Sequence, residues 1–76
     1  MAPDDLEERL LRAHDRNDGE SLAALYAEAA DLSERSGRID EACFRYTQAQ
    51  VYALEHGQTE LAARVRAKLL SYGREE

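Results

Sequence analysis

Four glycines, Gly19, Gly37, Gly57 and Gly73, set the plan of this chain, because glycine tolerates a left-handed backbone and commonly sits just past a helix end. They divide 76 residues into four segments, each with apolar residues at helical spacing. No alternating apolar-polar run is present. The β-branched residues number five, Ile39, Thr47, Val51, Thr59 and Val65, and the single proline, Pro3, precedes the first periodic segment. Strands are therefore not expected. The sequence predicts an all-α fold of four antiparallel helices over about 5–17, 19–36, 39–56 and 60–72, forming one domain across 1–76.

Helix by helix, the stripes differ. The first carries Leu6, Leu10, Leu11 and Ala13, with Asp4 as N-cap and Glu7 reaching back as in a capping box. The second, capped by Asp18, carries Leu22, Leu25, Tyr26, Ala29, Ala30, Leu32 and Ser33, an alanine-rich face that permits close approach. The third is apolar on two faces, Ile39, Ala42, Cys43, Tyr46, Ala49 and Ala53 on one, Phe44, Thr47, Val51 and Leu54 on the other, and is expected to lie between two neighbours. The fourth, with Thr59 as cap, carries Leu61, Ala62, Val65, Leu69 and Tyr72 against a polar face of Arg64, Arg66 and Lys68. Residues 74–76 are expected to fray.

Composition excludes several function classes. The formal charge is −6, which argues against nucleic acid as a partner, since phosphates are gripped by clustered basic residues. The charge is uneven: residues 1–41 hold twelve acids and five bases (−7), residues 42–76 four acids and five bases (+1). Nine of ten basic residues are arginine and thirteen residues are alanine, a usage common in GC-rich bacterial genomes. A single cysteine, Cys43, forms no internal disulfide and fits a reducing compartment. No apolar run approaches the ~18 residues of a membrane helix, and the start through Asp5 lacks the basic and apolar regions of a signal peptide. A cytoplasmic location and no membrane partner are expected.

The run Tyr26 to Leu54 resembles a tetratricopeptide repeat, a helix-turn-helix unit of about 34 residues. The likeness lies in Gly37-Arg38-Ile39-Asp40-Glu41-Ala42 and in Tyr46 and Ala49, with Tyr26 and Ala30 as the aromatic and small residues of the first helix. Ala29, Ser33, Gln50 and Leu54 depart from the pattern. The resemblance implies stacked helical hairpins, against a plain four-helix bundle as the alternative. One repeat cannot bury both its faces, so helices 1 and 4, or a second copy, must cover it.

No chemistry emerges from the remaining candidates. His14 and His56 have no further ligands at metal spacing. The loop Asp15-Arg16-Asn17-Asp18-Gly19-Glu20 places Glu20 and Tyr26 where a calcium loop needs glycine and glutamate. Cys43 falls on a buried stripe, and pairs such as Asp4-Asp5 and Asp40-Glu41 read as helix-start charges. The expectation is no enzyme activity, no metal and no cofactor. The resemblance instead implies a protein-binding groove on the first helix of the hairpin, at Ala24, Ala27, Asp31 and Glu34, whose acids suit a basic or apolar protein segment. The alternative is a structural, self-assembling homo-oligomer, natural or redesigned, most simply a homodimer, with contacts at Phe44, Arg45, Gln50, Val51 and Tyr52.

Overall fold

The computed structural model describes residues 5–74, and among them every regular element is a helix: α1 (Asp5–Asp15), α2 (Gly19–Arg35), α3 (Ile39–Glu55) and α4 (Thr59–Ser71). The expected capping box at Asp4 and residues 75–76 lie outside the described residues. Asp18 caps α2 as expected: Oδ1 accepts from Ser21 N at 3.2 Å and Oδ2 from the Ser21 hydroxyl at 2.7 Å. These bonds hold the Asp18 carboxyl below its usual pKa, the hydroxyl contributing most. Thr59, by contrast, is not a cap. Gln58 occupies that position with no side-chain bond, and the helix already includes Thr59.

One turn is used four times. After each helix a single residue takes a left-handed backbone, Asn17 (φ 53°), Gly37 (80°), Gly57 (72°) and Gly73 (70°). The amide following it returns to a carbonyl five residues back: Asp18 to Ala13 at 2.9 Å, Arg38 to Ser33 at 2.9 Å, Gln58 to Ala53 at 2.8 Å and Arg74 to Leu69 at 2.9 Å. These bonds satisfy carbonyls that a helix end leaves free. The first turn corrects the reading of Gly19 as a helix-end glycine. Asn17 does that work, and Gly19 lies inside α2, where a Cβ would stand 1.9 Å from His56 Nε2. At Gly37 an added Cβ meets nothing within 4 Å, so Gly37→Ala isolates the backbone strain. A loss of about 1 kcal/mol is expected in urea titration, and an unchanged midpoint would count against the left-handed geometry.

Each helix packs on the next in sequence, α1 on α2, α2 on α3, α3 on α4, with a lighter α2–α4 contact and none between α1 and α4 among the described residues. The result is an open slab of 35 × 29 × 15 Å rather than a closed bundle. Close packing comes from alanine. Ala23, Ala30, Ala42, Ala49 and Ala53 are fully buried, letting α2 and α3 approach closely, while Tyr46, Val65 and Leu69 fill the space between α3 and α4. Leu6 and Leu10 join Ala13, Leu22 and Leu25 in a smaller cluster under α1. Both neighbours of α3 use its first apolar face. The second face, expected to be covered, is open: Phe44, Val51 and Leu54 are 64%, 49% and 63% exposed.

Candidate functional site

The four groove residues of α2 have different fates. Ala24 is exposed beside the Gly57–Leu61 segment, but Ala27 is buried in the core. Asp31 and Glu34 are half-buried and already hold partners. The Tyr46 hydroxyl shares its single proton between Asp31 Oδ1 and, at 3.1 Å, Glu34 Oε1. Lys68 Nζ donates to Glu34 Oε1 at 2.8 Å and the Tyr72 hydroxyl donates to Oε2. Three helices thus converge on one carboxylate. Lys68 foremost, then Tyr72, hold the Glu34 carboxyl below its usual pKa. Burial first, then the bonds to Asp31 and Glu34, push the Tyr46 phenol well above its usual value, so it stays a donor. The acidic strip is in large part an internal tie. Lys68 and Tyr72, which complete it, read from sequence only as a polar-face and a stripe residue; their place at the edge of α4, one turn apart, was the available signal.

The self-association candidates divide between two surfaces. Phe44 and Val51 point away from the core, together with Leu54. Arg45 and Tyr52 lie on the α1 side of α3. Arg45 Nε is 3.5 Å from Glu41 Oε2, and Tyr52 stacks on Tyr26 with centroids 5.8 Å apart and planes 3° from parallel. His14 meets both rings edge-on, at 6.0 and 6.5 Å, and its Nε2 is 2.9 Å from the Tyr26 hydroxyl. This ring cluster ties α1 to the hairpin. Burial, followed by the neighbouring Tyr52, raises the Tyr26 phenol. Gln50 is half-buried.

Beside the ring cluster, α1, α2 and α3 border an open cleft of about 330 Å³ whose apolar lining is Leu6, Leu10, Ala29 and Leu32. Glu41 stands at its mouth, accepting from Ser33 at 3.2 Å, with Arg38 Nη1 3.8 Å away. The charged residues at the cleft are Glu7, Arg38, Glu41 and Arg45, and the free thiol, Cys43, is buried and lies outside its lining. Among the described residues no three His, Cys, Asp or Glu side chains cluster as a metal site, and no helix is long and apolar enough to cross a membrane.

The fold and its surfaces define an all-α chain of four sequentially packed helices. Comparison with protein-family models, with curated proteins and with solved structures finds no match.

Proposed function

We propose that this chain is a non-enzymatic protein-interaction module of tetratricopeptide-like type, acting in a reducing, cytoplasmic setting, and that it binds an amphipathic protein segment on the outer face of α3. The observation that carries this reading is the exposure of Phe44, Val51 and Leu54 at positions i, i+7 and i+10 of the helix best anchored in the core. Large apolar residues aligned on one helix face favour a partner's apolar stripe. Glu55 is exposed on the same helix, which suits a basic residue flanking that stripe; Asp40, also exposed, is already paired with Arg74. The groove on α2 is the weaker candidate because Ala27 is buried and Glu34 is neutralised by Lys68.

Peptides selected from a randomised helical library provide the test. Phe44→Asp combined with Leu54→Asp is expected to leave the helical circular dichroism unchanged and to weaken binding by at least about tenfold, since central apolar anchors dominate such interfaces. If selected peptides bind the double variant as they bind the parent chain, the α3 assignment is wrong. Peptides that lose binding only on Ala24→Asp would return the site to α2.

A further inference from the structure

The register of the helices points to a missing neighbour. α4 begins forty residues after α2, at Thr59 against Gly19. At that offset Ala62, Val65 and Leu69, which pack on α3, correspond to Leu22, Leu25 and Ala29 of α2, on the side facing α1. α4 therefore sits on α3 as α2 sits on α1. The comparison extends to the next face. Ala23, Ala27 and Ala30 of α2 are buried against α3, whereas their counterparts Ala63, Ala67 and Leu70 are exposed, Leu70 by 46%. The helix has a face built like a packed one, and none of the other three described helices covers it.

The other end of the slab offers a complement. Among the described residues α1 packs chiefly on α2, reaching α3 through the contact of His14 with Tyr52, and its outward side carries Glu8, Leu11 and Asp15, with Glu7 toward the cleft, all exposed, Leu11 by 62%. The two terminal helices are oppositely charged. α1 holds four acids and two arginines, a net −2, and α4 holds one acid and three bases, of which Lys68 is already paired with Glu34. Arg64, exposed next to Ala63, borders the α4 face.

We propose that α1 of a second copy packs on the outer face of α4, so that copies associate head to tail and the alternation of helices continues across the junction. Leu11 of the second copy meets Ala63, Ala67 and Leu70, with its flanking acids toward Arg64. The contact is heterologous, leaving an uncovered α1 at one end and an uncovered α4 at the other. One helix face falls below the roughly 1,000 Å² of a stable interface, so the association is weak and sensitive to salt. This junction does not use the α3 face proposed above and stands independently of it.

The test is sedimentation equilibrium on the full chain from about 20 µM to about 2 mM, spanning the weak range of affinities, at low and high salt. The expected result is an average mass that rises with concentration without stopping at a dimer, and rises less at high salt. Leu70→Asp and Leu11→Asp, both at exposed positions, should each weaken association by about tenfold or more while circular dichroism stays unchanged. An equimolar mixture of the two variants retains one intact α1 and one intact α4, and should yield dimers that grow no further. Arg64→Glu should weaken association, and Glu8→Arg on the second copy should restore it. A strict monomer throughout at low salt, a mass that saturates at two copies for the parent chain, or an association abolished by Phe44→Asp and indifferent to Leu70→Asp would each overturn the proposal.

Discussion

Replacing Tyr46 by alanine is expected to remove a large share of the chain's stability at 25 °C. Tyr46 is the largest fully buried side chain, at the meeting point of α2, α3 and α4. Truncating a buried aromatic ring costs about 3–5 kcal/mol, and a chain of 76 residues has about 4–11 kcal/mol in total. Phenylalanine at the same site separates packing from hydrogen bonding. The ring remains, while Asp31 and Glu34 lose a donor. Bonds to charged acceptors contribute about 1.5–3 kcal/mol each; water reaches both half-exposed carboxylates, so a loss near about 1.5 kcal/mol is expected for Tyr46→Phe. Urea titration of the three proteins checks the ranking. Equal losses for phenylalanine and alanine would show that the hydroxyl, not the ring, carries the effect.

The second large effect concerns acid. Glu34 has a folded-state pKa depressed below its ordinary 4.5, chiefly by Lys68. A depressed carboxylate contributes stability that is present above the unfolded value and is lost as pH falls through the folded one. The parent chain should therefore lose stability below about pH 4.5. Glu34→Gln should be less stable at neutral pH, because the charge facing Lys68, Tyr46 and Tyr72 is gone. The two thermal-melting curves should approach one another as pH falls through the depressed value. A gap that stays constant down to about pH 2, below the range in which carboxylates titrate, would remove Glu34 as the source.

The helices themselves were legible because period and turn chemistry agreed. α2 and α3 end within one residue of the expected positions, at Arg35 and Glu55, since Gly37 and Gly57 adopt the left-handed backbone that made them recognisable. α1 was expected to reach Asn17 and stops at Asp15 because asparagine takes the role glycine has elsewhere. A side chain that tolerates that conformation without requiring it leaves a fainter mark. The Glu34 hub was not legible. Its partner Lys68 is 34 residues away, and the pairing exists only because α4 returns across α2. The open face of α3 was only half legible: Phe44 and Val51 were expected both on a second packed face and as self-association contacts, and only the arrangement of neighbours shows that alanine lets α2 and α4 share the opposite side and leaves them, with Leu54, exposed. The proposed groove lost Ala27 to the core by the same close approach, and Asp31 and Glu34 to internal partners.

Packing each helix chiefly on its sequence neighbour also shapes how the chain reaches this structure. The partners of every hairpin are joined by a turn with its own hydrogen bonds, so the conformational search is short-range and the entropy lost in closing each loop is small. Helical proteins built from such local contacts fold in microseconds to milliseconds. Little time is spent as an open chain, and the aggregation that threatens slow folders with exposed apolar faces has correspondingly less opportunity to begin.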